Sequence, residues 1–211
     1  MNKYRHLFLL FSLLCFGVAC QPPVGDEPES ELTEDPNPVE AGKKYAVDPK
    51  LSTIQWTASK VYGQHTGDIK IKQGNIWIEG KKITGGRVLL DMNSITVSDL
   101  EGKDKEDLET HLKDSDFFET EEWPVGKLII TSVMEKKDSS FTHEVKAQLT
   151  LKGKTKPIRF PATLTFSETG VKIESLFEID RTRWGITYRG SLDNIIQKMV
   201  ALKIEVLVTP K

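Results

Sequence analysis

The chain has 211 residues, a formal net charge of −2, and a composition 38% hydrophobic and 28% charged. That length suits one domain with accessories, and no apolar run reaches the ~18 residues of a membrane-spanning helix. The charge is uneven: residues 21–42 carry seven acids and no Lys or Arg, which leaves 43–211 at +3, too mild for the strongly basic face of a nucleic-acid binder.

Lys3 and Arg5 precede a ten-residue apolar stretch, Leu7 to Phe16. It is too short to span a bilayer and has the character of an export signal. Gly17-Val18-Ala19-Cys20 follows and resembles a bacterial lipobox, in which the cysteine becomes the acylated first residue of the mature protein. Ordinary cleavage after Ala19 is the alternative. The expectation is a signal peptide over 1–19, lipidation at Cys20, and a membrane-anchored lipoprotein of the bacterial cell envelope, at the outer membrane or facing the periplasm. Cys15 leaves with the signal, so the mature chain keeps one cysteine and forms no internal disulfide. Residues 20–42 contain five of the ten prolines. They read as a disordered acidic tether ahead of a domain over 43–211.

Within that domain, Leu51 to Lys60 alternates with Ser52, Ile54, Trp56 and Ala58 on one face. Gly67 to Glu79 carries Ile69 and Ile71, then a turn or bulge at Gly74-Asn75. Val88, Leu90 and Met92 alternate after Gly85-Gly86. From Ser98 to Lys113 the period changes: Ser98 and Glu101 have the spacing of a capping box. Leu108, His111 and Leu112 recur at i, i+3, i+4, which predicts a short helix. Phe117, Phe118 and Trp123 cluster in the loop behind it.

Lys127 to Met134 reads as a strand, and Lys136 to Ser140 as a turn. Val145 to Phe166 reads as two long strands around Gly153-Lys154. Val145, Ala147, Leu149 and Leu151 share one face of the first, and Ile158, Phe160, Ala162, Leu164 and Phe166 one face of the second. Val171, Ile173, Phe177 and Ile179 follow, with Arg181 on their face by parity. Val200 to Val208 closes the domain. Eight or nine strands, one short helix and frequent turns predict an all-β, antiparallel, lipocalin-like barrel of about eight strands. Its outward lysines exclude an outer-membrane barrel.

Three segments, His111 to Pro124, Leu149 to Pro161 and Ile179 to Tyr188, resemble in this order the YceI-like family, over about Tyr45 to Val208. Leu51 stands where a His is common in that family, and Trp56 where a Phe is common. The resemblance implies exported bacterial proteins whose lipocalin-like barrel binds polyisoprenoid or related lipids.

His65, His111 and His143 lie apart with no metal-binding spacing, so no metal and no cofactor is expected. No nucleophile motif appears, and the chain is not expected to be an enzyme. Arg181, inward by parity, needs a partner, because unpaired burial is costly. An acid such as Asp91 or Asp180, or the polar end of a ligand, would serve. The candidate ligand-binding residues are Trp56, His65, His111, Phe117, Phe118, Trp123, Phe160, Phe177, Arg181, Trp184 and Tyr188. The aromatic loop and the Arg181 to Tyr188 segment are expected at one end of the barrel. The expected function is binding of a long apolar ligand, a polyisoprenoid, quinone-like or other lipid, for sequestration or transport. The alternative is a non-catalytic, stress-related or interaction module with a filled barrel. The expected partners are that lipid and, through the acyl anchor, a membrane, with no nucleic acid. The oligomeric state stays open, a homodimer included.

Overall fold

In a computed structural model, residues 37–137 and 140–211 are described. The predicted signal, Cys20 and the tether up to residue 36 lie outside the described residues, as does part of the predicted 136–140 turn. Period-2 alternation becomes strand throughout the domain, because each strand has one face to bury. The order is β1 (Lys43–Val47), β2 (Thr53–Lys60), β3 (Gln64–Glu79), β4 (Lys82–Val97), α1 (Gly102–Lys113), β5 (Val125–Glu135), β6 (His143–Leu151), β7 (Lys154–Phe166), β8 (Val171–Asp180), a 3-10 turn (Arg181–Trp184), β9 (Gly190–Ser191) and β10 (Asn194–Pro210).

Strands β2 to β8 neighbour one another in sequence order, all antiparallel, and β10 pairs with both β8 and β2. This closes an eight-stranded ring, and closure removes the free edges such long strands would otherwise expose. β1 bridges β3 and β10 at the far end of the ring. Antiparallel order sends the β2–β3 turn, α1 with its loop, the β6–β7 turn and residues 181–193 to one end. The chain between β8 and β10 thus meets α1 there, as the sequence predicted. Inward residues such as Ile76, Ile95, Val97, Val171 and Val208 are fully buried.

Several local expectations change. The helix begins at Gly102 with Glu101 at its cap and no side-chain cap bond. Ser98 forms no capping box; its hydroxyl donates to Asp68 instead, and its N–H to Thr66. Gly74 lies inside β3, with a register shift beside it between Ile71 and Gln73. A Cβ at Gly74 would come within 2.5 Å of Val47, so its bareness lets β1 pack. The β6–β7 turn is Lys152-Gly153, both with positive φ, the tight hairpin type that matches strand twist. Residues 37–42 already contact the barrel: Arg87 donates to Asn37 Oδ1 at 2.9 Å and Thr84 to the Ala41 carbonyl at 2.5 Å.

Candidate ligand-binding lumen

The inward faces leave a narrow cavity of about 150 Å³. Cavities of that order lined by aliphatic and aromatic groups stay dry and admit small apolar molecules. The wall runs along β10 from Ile196 to Val206, with Trp56, Ile71, Leu90 and Phe177 among the side chains facing them. Residues from around the ring and along β10 border it, so the cavity lies inside the barrel.

Of the predicted residues, Trp56, Phe117, Phe118, Phe177 and Arg181 line the lumen. Trp56 lies over Gly67, where a Cβ would come within 2.6 Å of the ring. Its indole N–H is buried without an acceptor. Phe117 is buried at the helix-capped end. There the rings of His111 and Tyr188 meet it at 5.0 and 5.4 Å, and each other at 4.7 Å. These three rings join α1 and its loop to the segment after the 3-10 turn. His111 and Tyr188 therefore stand at the end of the lumen and not in its wall.

Four residues have different places from those expected. Trp123 is 37% exposed and covers Gly153 on the outside of the β6–β7 turn. A loop aromatic can cap a turn as readily as a core. His65 sits outside the lumen, its Nδ1 2.8 Å from Asp99 and its Nε2 2.8 Å from Lys60 Nζ. With Lys60 able only to donate, Nε2 accepts and Nδ1 donates to the carboxylate. Trp184 is fully buried but off the wall, its indole N–H donating to the Leu149 carbonyl at 2.9 Å. Phe160 is buried behind Phe177, the rings stacked at 4.5 Å and 13°.

Arg181 is buried with neither acid as its hydrogen-bonding partner. Its guanidinium donates to the carbonyls of Ile186 at 2.6 Å, Gln197 at 3.1 Å and Ile196 at 3.3 Å. Burial lowers its pKa and the charge of nearby Asp180 opposes the shift. Asp180 itself accepts from the N–H and hydroxyl of Thr182 and caps the 3-10 turn. With its donors so engaged, Arg181 presents only its stem to the lumen, and the wall surface is apolar throughout. Among the described residues, no three His, Cys, Asp or Glu side chains converge as metal ligands would. Sequence reading missed Leu112, Ile186 and Ile196 as wall residues. Leu112 shared its helical stripe with Leu108 and was legible, whereas Ile186 lies in irregular chain with no period to follow.

A closed antiparallel ring with one helix at an end and an apolar lumen along its axis defines a lipocalin-like barrel. The chain belongs to the YceI-like family, whose domain description matches residues 45–208. Two solved structures share the fold. One is BcnA of Burkholderia cenocepacia, with TM-score 0.66 and 16% identity over 77% of this chain and 99% of that one. The other is a polyisoprenoid binding domain from Saccharophagus degradans implicated in plant cell wall breakdown, with TM-score 0.61 and 16% identity over 79% and 98%. No curated protein sequence matches.

Proposed function

We propose that the barrel holds a long apolar chain, isoprenoid or another lipid, in its lumen for sequestration or transport. The observation that carries this is the wholly apolar cavity inside the barrel, bordered by β10 from Ile196 to Val206. An apolar chain gains roughly 0.8 kcal/mol per methylene on leaving water for such a site. No wall charge is left for a head group, because three carbonyls occupy Arg181. The chain therefore lies inside and its polar end stays at the His111–Phe117–Tyr188 end. Phe117, Phe118 and Phe177 contact the chain, Phe160 backs Phe177, and Arg181 and Trp184 hold the frame. The reading assigns no catalytic role to any side chain. A polyisoprenoid binding domain of the same fold agrees with it. The proposal includes an acyl anchor at Cys20 and a place in the bacterial cell envelope, both resting on the lipobox-like Gly17 to Cys20.

Mass spectrometry of organic extracts of the purified protein tests the reading. An isoprenoid, quinone or other long-chain lipid in stoichiometric amount is expected. Protein that carries none, and takes up none when offered one, would overturn it in favour of a filled interaction module.

A further inference from the structure

Around the ring, one pair of neighbouring strands stays largely unpaired. β7 and β8 are registered only from Thr163↔Glu174 to Phe166↔Val171. Above that point β7 continues to Lys154 and β8 to Asp180, each paired on its other side alone, with β6 and β10. The cause is in the sequence. Pro157 and Pro161 lie four residues apart on β7. Proline has no N–H, so neither can donate toward β6 or β8. Even-numbered β7 residues face β6, since Thr142 Oγ1 accepts from the Leu164 N–H and donates to the Ala162 carbonyl. Odd-numbered residues, the two prolines among them, thus turn their backbone toward β8. Pairing stops where the first of them begins.

What remains of that edge is capped by side chains. Ser175 donates to the Pro161 carbonyl, and Arg183 to the Pro157 carbonyl at 3.1 Å. On the inside, the Phe160–Phe177 stack bridges the gap, and Phe177 faces the lumen. On the outside, an open depression of about 320 Å³ sits against Pro161, Ala162, Ser175 and Leu176. Ile204 borders both this depression and the lumen. Leu176 is 68% exposed at the outer lip. A ladder would have to break several backbone hydrogen bonds to open. This seam is held by side chains instead, among them the two stacked rings and the Ser175 and Arg183 bonds to the proline carbonyls.

We propose that the β7–β8 seam is a lateral portal through which an apolar chain passes between the outside and the lumen. The inference rests on the lumen reading above. It adds the route, and it assigns Phe160 and Phe177 as the gate, with Pro157 and Pro161 keeping the strands unzipped. The β6–β7 and β8–β10 ladders flank the seam and hold its position while it opens.

The test uses the chain from residue 37 onward, in which the whole ring and core are contained. Pro161→Cys with Leu176→Cys, both on the outer face, places a disulfide across the seam, and the reduced form of the same polypeptide is its control. Uptake and release of cis-parinaric acid, a fluorescent long-chain polyene, are followed by stopped flow. Oxidation is expected to slow both rates about tenfold or more, as closing a gate does, with the equilibrium affinity unchanged and reduction restoring the rates. If the disulfide does not form, Pro157→Val with Pro161→Val returns two donors to the edge and is expected to slow both rates too. Saturable uptake whose rates neither variant changes would overturn the portal and leave the lumen standing. Failure of the unsubstituted protein to take up the probe at all would refute the lumen reading and the portal with it.

Discussion

The guanidinium Nη1 of Arg181 donates to the main-chain carbonyl of Ile186 at 2.6 Å, tying the start of the 3-10 turn to the chain five residues on. Two further donors hold Gln197 and Ile196 of β10. The arginine is thus a clamp on the capped end. Arg181→Met keeps most of the volume and removes all three bonds. Bonds to charged donors contribute about 1.5–3 kcal/mol each, less than additively here since they share one group. A loss of roughly 2–4 kcal/mol in urea unfolding is expected. Unchanged stability would show that the carbonyls find other donors.

Leu149 faces the lumen and is buried in β6, whereas Thr165 faces outward and is exposed on β7. Leu149→Asp buries an unpaired carboxylate and should cost several kcal/mol, about 3–5. Thr165→Asp should stay within about 0.5 kcal/mol. Similar costs for both would contradict the inward and outward faces assigned to β6 and β7.

Burial raises the pKa of Asp99, but the Thr66 N–H and the His65 ring outweigh it and hold the carboxyl below its ordinary 3.8. A depressed folded-state pKa means that stability from this group is complete above the unfolded value. It is lost as pH falls below 3.8 through the folded value. The side chains are 23% and 31% exposed, so the contribution is at most about 1 kcal/mol. Asp99→Asn should lower stability at neutral pH and flatten that part of the acid limb. An acid-unfolding curve parallel to the wild type would count against it.

The unpaired seam makes a prediction about single amides. Thr163 faces β8 and is registered with Glu174, so even-numbered β8 residues point toward β7. Above Glu174 these are Leu176 and Glu178, with no ladder partner on that side. Phe177 and Ile179 point toward β10, with which they are registered. In native-state hydrogen exchange, Leu176 and Glu178 should exchange faster than Phe177 and Ile179. Equal protection along β8 would mean that the strands are zipped in solution.

Much of the ring was legible because alternation has a physical cause: each strand buries one face. That argument placed Leu149 and Phe177 correctly, and it matched Arg181, which borders the lumen from the 3-10 turn and not from the strand. It could not find the partners of Arg181, because main-chain carbonyls carry no side-chain signature and these lie five, fifteen and sixteen residues away. Phe117 and Trp123 looked alike in one loop, yet one lines the lumen and the other covers Gly153 on the outside. Pro157 and Pro161 were in plain view. Their spacing places both on one edge of a strand, but which neighbour that edge faces is a matter of topology. Likewise, apolar inward residues fill a barrel or line a hollow one with the same pattern, and only the packed geometry separates the two.

The anchor proposed at Cys20 stands apart from the barrel and can be tested apart from it. Two acyl chains or one chain with a second signal are needed to hold a protein stably on a bilayer, and lipoprotein modification would supply more than one chain at this cysteine. The barrel adds no apolar outer band of its own, since its outward positions carry lysines such as Lys70, Lys72 and Lys203. Cys20→Ser should therefore move the exported protein from the membrane to the soluble fraction, and should abolish incorporation of labelled fatty acid. The barrel ring and core lie beyond residue 36, so thermal unfolding and lumen loading should match the wild type. A Cys20→Ser protein that stays with membranes, beside a wild type that takes up no fatty acid, would remove the anchor and leave the lumen untouched.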